Sequence, residues 1–456
     1  MTNRKTAVVM LAAGLGTRMK SELPKVLHPL AGRPMVAHLL DTLAELAPER
    51  VVVVIGDGME AVAKAAAPHP TVVQSPRAGT GHAVMAARAA LADFDGDVLV
   101  IYGDTPLITL PTLARMLAAR RAPADPAVVV LGFRPADPAA YGRLILGPDG
   151  GLDAIVEAKD ASPEHLAVGL CNSGVMAIDG ARVFGLLDRV GNDNAKSEYY
   201  LTDIVHLARR DGVACGFVEG SESELIGVNS RADLATAESI VQDQLRNRAM
   251  AGGATLTDPG SVWFSWDTHL GRDVTVGPSV VFGPGVRIGN NVKIHGFCHF
   301  EGAVVEDGAV VGPFARLRPG AAIGSDAHVG NFVEIKNAVL ETGAKVNHLS
   351  YIGDARVGAR ANIGAGTITC NYDGFFKSHT DIGAGAFIGS NTCLVAPVTI
   401  GDGAIIGAGS AIGKDVPADA LAVTRGPFKV REGWAQEFRA RRGAEKAAAT
   451  RSKQES

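Results

Sequence analysis

Between Thr6 and Asn229 the chain alternates short apolar runs with amphipathic stretches. Residues 7–11, 51–55, 98–102 and 127–131 are almost wholly aliphatic and short, as expected of strands buried on both faces. Such strands separated by helical segments predict an α/β layer architecture on a mainly parallel, Rossmann-like sheet. Residues 230–250 then run with few breakers and helix-compatible spacing up to Ala251-Gly252-Gly253, which predicts a connecting helix.

Beyond Asp273 the pattern changes. An aliphatic or aromatic residue returns at every sixth position, often followed by Gly: Val276, Phe282, Ile288, Ile294, Phe300, then after a slip of one Val305, Val311, Leu317, Ile323, Val329 and Ile335. A later run is Ile382, Ile388, Leu394, Ile400, Ile406, Ile412. Six is neither the period of an amphipathic helix nor that of a strand; it is the hexapeptide period of a parallel β-helix. Each short strand would turn one apolar residue inward, and the Gly that follows would take the corner. A low-complexity Gly-rich linker would keep no such register. Residues 370–380 interrupt the period and predict a loop projecting from a corner, a common place for a site. The tail from Arg431 reads as a solvated, partly disordered basic end.

The length of 456 residues is too great for one ordinary core, so the pattern divides the chain into 1–229, a linker helix 230–250, and 251–456. Lys plus Arg (44) nearly balances Asp plus Glu (48), which excludes a global basic field for nucleic acid. Five cysteines without C-x-x-C spacing argue against zinc and a disulfide framework and favour a reducing, cytoplasmic setting. No apolar run is long enough to span a membrane, and the start at Thr2 to Lys5 lacks a signal peptide's apolar segment.

The first strand runs into Leu11-Ala12-Ala13-Gly14-Leu15-Gly16-Thr17-Arg18-Met19, with Pro24-Lys25 beyond. Glycines after a buried strand let backbone N–H groups approach phosphate oxygens. Met19 stands where a dinucleotide fingerprint has its third glycine, and no Gly-Lys-Ser/Thr follows, so this is neither that motif nor a Walker A loop. Gly-x-Gly alone would equally serve a tight turn. Arg18 and Lys25 tip the reading, because charge neutralisation does most of the work in phosphoryl transfer.

This string, followed in order by Gln74, Gly79-Thr80-Gly81-His82, Tyr102-Gly103-Asp104, Tyr141-Gly142-Arg143, Glu157, Asn172-Ser173-Gly174, 198–203 and Gly227-Val228-Asn229, resembles the sugar-1-phosphate nucleotidyltransferases. With the β-helix included, the resemblance to bifunctional members of that family covers nearly the whole chain. It implies a bifunctional transferase: acetyl-CoA-dependent N-acetylation of glucosamine-1-phosphate in the C-terminal domain, a left-handed parallel β-helix. Uridylyl transfer from UTP to N-acetylglucosamine-1-phosphate in the N-terminal domain would follow, releasing pyrophosphate and UDP-N-acetylglucosamine for bacterial cell-wall and lipopolysaccharide synthesis. It implies that Leu11, Ala12, Ala13, Gly14, Lys25, Gln74, Gly79 and Thr80 hold the nucleotide beside Tyr102, Gly103 and Asp104. Gly142, Glu157 and Asn172 would contact the sugar, and Asp104 and Asn229 would bind Mg²⁺. Arg18 and Lys25 would stabilise the charge that develops in transfer. Leu15 stands where many relatives carry Lys.

Acetylating an amine needs a neutral nucleophile, a base and donors for the oxyanion. His295, His299, His328, His348 and His379 are all candidate bases, and periodicity does not choose among them. The resemblance chooses His348, within residues 347–355, with Glu334 placed to orient or polarise it. It also implies that Arg318 and Lys336 bind the sugar phosphate and that Tyr351, Asn362, Asn371 and Tyr372 complete the sugar pocket. Ala365, Ser390, Ala408 and Arg425 would contact acetyl-CoA, with Asn371 and Tyr372 beside them. Phe376 replaces the Asn usual in relatives. The resemblance further implies a homotrimer with acetyl-CoA between subunits. The alternative is a nucleotidyltransferase whose β-helix serves only regulation or oligomerisation.

Overall fold

The computed structural model describes residues 4–138 and 141–454, with side chains up to 444. Residues 1–3, where part of the reading of the chain's start falls, lie outside the described residues. The chain forms two compact units, Met1–Arg287 and Ile288–Ser456.

In the first unit all four expected strands form, as Thr6–Leu11, Arg50–Gly56, Asp97–Tyr102 and Val128–Phe133. The main sheet runs Cys215–Glu219, Val128–Phe133, Cys171–Asp179, Asp97–Tyr102, Thr6–Leu11, Arg50–Gly56, Thr71–Gln74. Every neighbour pair is parallel except the two made by Cys171–Asp179. Val8, Val53 and Leu99 point into one apolar layer and Val9, Val54 and Val100 into the other, so both faces are covered. That is why these strands read as unbroken aliphatic runs.

The connecting helix spans Arg231–Ala251. Ser230 caps it, its hydroxyl accepting from the Asp233 N–H while the Asp233 carboxylate accepts from the Ser230 N–H, a reciprocal capping box. The buried Gln242 donates to the Phe264 carbonyl at 2.7 Å and accepts from its N–H at 2.8 Å. One helical amide thereby satisfies a backbone edge of the short strand Trp263–Phe264.

The second unit is a stack of short parallel strands, mostly two to four residues long, in a left-handed parallel β-helix. Its sixth-position residues are buried, among them Ile294, Val311, Ile335, Ile388 and Ile412. A second inward position, two residues earlier, is mostly small: Ala309 before Val311, Ala327 before Val329, Ala386 before Ile388. Except at Gly312, with φ 97°, left-handed backbone does not fall at the glycine after the aliphatic residue. Left-handed φ falls three residues before it, at Gly308, Asp326 and Asn391 for example. The later glycine answers to space instead: a Cβ on Gly364 would come 2.5 Å from the backbone N of Ser390 on the next coil. Phe297, Phe314 and Phe332 hold the corner conformation at φ 62°, 55° and 55°. Their exposed rings stack with centroids 5.0 and 5.1 Å apart. The tail read as partly disordered forms the helix Trp434–Gln454.

Candidate functional sites

In the first unit the strand Thr6–Leu11 delivers the loop expected to hold phosphate to the carboxyl edge of the sheet, where open α/β sheets bind ligands. Gly16 takes φ 62°, and a Cβ there would come 2.6 Å from Cβ of Lys25, so the loop closes onto Lys25 only with glycine at this position. The Lys25 ammonium pairs with the Asp104 carboxylate and donates to the Asn229 side-chain oxygen at 2.9 Å. The Val228 N–H binds the Asp104 carbonyl at 2.8 Å, and the Asn229 N–H binds the Asp233 carboxylate at 3.0 Å, which brings these two distant loops together. One carboxylate and one amide oxygen thus converge on a single cationic point, a donor set that suits a hard divalent cation.

A cavity of about 280 Å³ opens beside them. Leu11, Ala12, Ala13, Gly14, Lys25, Gln74, Gly79, Thr80, Tyr102 and Asp104 all line it. Gln74 is buried and donates to the Gly79 carbonyl at 2.9 Å, while the Gly103 N–H binds the Leu11 carbonyl at 2.9 Å. Burial pushes the Tyr102 phenol well above its ordinary value, against a hydrogen bond with Thr80, and the charges of Glu157 and Asp104 add to the rise. Glu157 itself is raised, first by burial, with Thr202 donating to it at 3.4 Å. The Asn172 N–H binds the Gly142 carbonyl at 2.8 Å. Arg18 stands exposed on the 3-10 turn Thr17–Met19 and joins no ion pair among the described residues. Sequence reading missed Arg77, which lines the cavity and donates from Nε to the Ala13 carbonyl at 2.7 Å; Glu198, named there in the string 198–203 but given no role, is on the cavity wall. A cation three residues from Gln74 was the available signal for Arg77.

In the second unit, Asn331, His348, Ala365, Ser390 and Ala408 occupy equivalent places on five successive coils, each just before the corner residue. Backbone bonds tie the column: Leu349 N–H to Asn331 at 3.1 Å, Gly366 to His348 at 3.3 Å, Asn391 to Ala365 at 2.7 Å and Gly409 to Ser390 at 2.8 Å. The small residues Ala365, Ser390 and Ala408 leave room along one corner, with the Arg425 side chain against Gly407 and Gly409. The expected base and the expected acetyl-CoA positions therefore share one line.

Glu334 does not orient His348. Its carboxylate accepts from Arg318 at 2.9 Å, with Arg316 at 3.5 Å. The partner of His348 is Asn331, whose side-chain oxygen lies 2.7 Å from Nδ1. Lys336 reaches Asp354 at 3.3 Å. Asp354, which sequence reading passed over, is a buried hub receiving Asn337 at 2.6 Å and also the Asn371 amide. Burial works to raise its pKa, but the bonds from Asn337, Asn371 and Lys336 outweigh that and hold it below the usual carboxylate range. Lys377 in the inserted loop lies close to Lys336, whose charge holds it below the usual lysine range, and Arg318 adds to the same effect. Tyr351 lays its ring over Gly353, where a Cβ would meet the phenol oxygen. Asn362 sits on the strand Asn362–Ile363, and Tyr372 is exposed.

A nucleotidyltransferase sheet followed by a hexapeptide β-helix is the layout of a bifunctional transferase that pairs nucleotidyl transfer with acyl transfer. A family model of the MobA-like NTP transferase domain matches residues 8–161, and one of the bacterial transferase hexapeptide matches 267–302, 302–337 and 379–414. The bifunctional protein GlmU of Paramagnetospirillum magneticum is 66% identical over 98% of this chain and 99% of its own length. That of Rhodospirillum rubrum is 70% identical over 96% and 98%, and that of Xanthobacter autotrophicus 56% over 98% and 100%. The chain belongs to the bifunctional GlmU family.

Proposed function

We propose that the protein makes UDP-N-acetylglucosamine in two steps, one in each unit. In the second unit the amine of glucosamine-1-phosphate attacks the acetyl-CoA thioester carbon. The amine proton passes to His348, the C–S bond breaks and CoA leaves. Arg318, Lys336 and Lys377 hold the sugar phosphate, Arg318 by its fork and the lysines as point charges. Tyr351, Asn362, Asn371 and Tyr372 surround the sugar, and Ala365, Ser390, Ala408 and Arg425 line the path of acetyl-CoA. In the first unit a phosphate oxygen of N-acetylglucosamine-1-phosphate attacks the α-phosphorus of UTP and pyrophosphate departs. Arg18 and Lys25 neutralise the developing charge, while Gly142, Glu157 and Asn172 position the sugar.

Asp104 and Asn229 would hold Mg²⁺, which when bound supplies charge compensation to the triphosphate. Among the described residues no group of three or more His, Cys, Asp or Glu is placed to hold a metal, which fits a cation held partly by substrate phosphates. The working assembly is a cytoplasmic homotrimer, with uridylyl transfer carried by residues 1–229, a linker helix at 230–250 and acetyl transfer by 251–456. No described helix is long and apolar enough to cross a membrane.

The observation that carries this reading is the single column joining His348 to Ala365, Ser390 and Ala408, since a β-helix serving only regulation or oligomerisation has no use for a base beside a small-residue groove. The test supplies glucosamine-1-phosphate, acetyl-CoA, UTP and Mg²⁺ and follows free amine, CoA thiol and pyrophosphate. All three should change together. Pyrophosphate release from N-acetylglucosamine-1-phosphate without any loss of amine from glucosamine-1-phosphate would leave the β-helix a non-catalytic module.

A further inference from the structure

We infer that Asn331 is a positioning residue for acetyl transfer, fixing both the ring orientation and the tautomer of His348; this rests on His348 being the base. Asn331 ends the strand His328–Asn331 and His348 ends Lys345–His348, and the two residues are direct partners in the parallel register. Gly330 makes this close pairing possible, because a Cβ there would collide with the Asn347 carbonyl. The Asn331 side-chain oxygen lies 2.7 Å from Nδ1 of His348. An amide oxygen only accepts, so Nδ1 carries the hydrogen, and in a neutral imidazole the lone pair is then on Nε2. Nε2 is the atom left to take the amine proton.

The chemistry of an amide here differs from that of a carboxylate. A carboxylate in contact with an imidazole favours the imidazolium, which cannot accept a proton. The amide orients the ring and adds no charge. The one carboxylate on the strand after the corner, Glu334, is already committed to Arg318 at 2.9 Å. The other titratable groups on the strands packed about His348 are His328 and Lys345 on the paired strands, and Lys336, Tyr351, Asp354 and Arg356 on the next strands along. Lys336 is paired with Asp354.

The test compares Asn331→Ala, Asn331→Asp and His348→Ala in the full-length protein, using acetyl-CoA binding and the thermal melt of the second unit as the measure of intact folding. Asn331→Ala should lower kcat for acetylation by about 10²-fold, the usual scale for a misplaced reacting group, with KM for acetyl-CoA nearly unchanged. Asn331→Asp keeps the acceptor but adds charge, so it should recover much of the rate at high pH and move the acid limb of the profile upward by about one unit or more. ¹⁵N NMR of the wild-type protein, with the His348 signals assigned by their loss in His348→Ala, should report Nδ1–H and unprotonated Nε2. The opposite tautomer would mean that the amide is turned with its NH₂ toward Nδ1, which overturns the inference without any mutant. If His348→Ala is inactive while Asn331→Ala turns over within a few fold of wild type, Asn331 is not needed and the base assignment stands. If both acetylate normally, it is the base assignment that fails.

Discussion

Arg318 and Glu334 form an ion pair at 2.9 Å on adjacent coils, and that pair withdraws Glu334 from the base it was expected to polarise. Glu334→Gln should therefore leave the chemical step nearly intact and act through Arg318, whose guanidinium loses the carboxylate that aims it. A several-fold rise in KM for glucosamine-1-phosphate with kcat little changed is the expected outcome. A large fall in kcat at unchanged KM would return Glu334 to the base.

Asp104→Ala should abolish uridylyl transfer and leave acetylation intact. The substitution removes the only carboxylate in contact with Lys25 among the described residues and, with it, the charged half of the oxygen pair proposed to hold Mg²⁺. A wild-type thermal melt of the first unit in the variant separates this from unfolding. Full uridylyl transfer at ordinary Mg²⁺ would exclude Asp104 as a required ligand.

The linker helix is more than a spacer. Gln242→Ala would leave a buried N–H and a buried carbonyl of Phe264 without partners, at a cost of about 2 to 4 kcal/mol. Urea unfolding of the fragment 1–287 should register that loss, and a change below about 0.5 kcal/mol would mean that water replaces the amide. By the same contact, a C-terminal fragment beginning at residue 230 should outlast one beginning at 251 on heating, although each should still acetylate.

The layer architecture was legible because buried parallel strands are unbroken aliphatic runs, and the coil because Val311, Ile388 and their equivalents recur at a fixed period. The strand Cys171–Asp179 was harder to place, since nothing in its composition says that it runs antiparallel between two parallel neighbours. The corner was misplaced for a physical reason. Left-handed backbone suggests glycine, yet Phe314 and Phe332 hold it, while Gly364 is small because the next coil presses against it. Residues carried by local strings, such as Leu11 to Gly14, were named in advance and line the cavity. Those defined only by coil-to-coil contact, Asn331 and Asp354, were not, because the contact joins residues 17 apart in the chain.

Asp354 gives the second unit an acid sensitivity. Its folded pKa lies below the usual carboxylate value of about 3.9, so the unfolded chain binds the proton more readily. The stability it contributes is present above about pH 4 and is lost as pH falls through the folded pKa. Asp354→Asn should flatten the acid limb of the stability curve and loosen the loop held through Asn371 and Lys336. An unaltered acid limb in the variant would show that other carboxylates govern it.

The removal of His348 sets the two readings of the β-helix against each other most sharply. A free imidazole titrates near pH 6.5, closer to working pH than any other unperturbed side chain, so a histidine can accept a proton from an attacking amine. Losing a positioned general base costs about 10² to 10⁴ in rate, or roughly 3 to 5 kcal/mol of transition-state stabilisation. His348→Ala should lower acetylation by that order. Acetyl-CoA binding should persist, because Ala365, Ser390 and Ala408 are held by backbone bonds that the imidazole does not make. Uridylyl transfer should be unaffected, since Lys25, Asp104 and Asn229 belong to the other unit. A histidine that merely occupied a corner would yield a small loss of stability with near-normal turnover. Acetyl transfer measured on folded mutant decides between these outcomes, and a rate within a few fold of wild type would end the catalytic assignment.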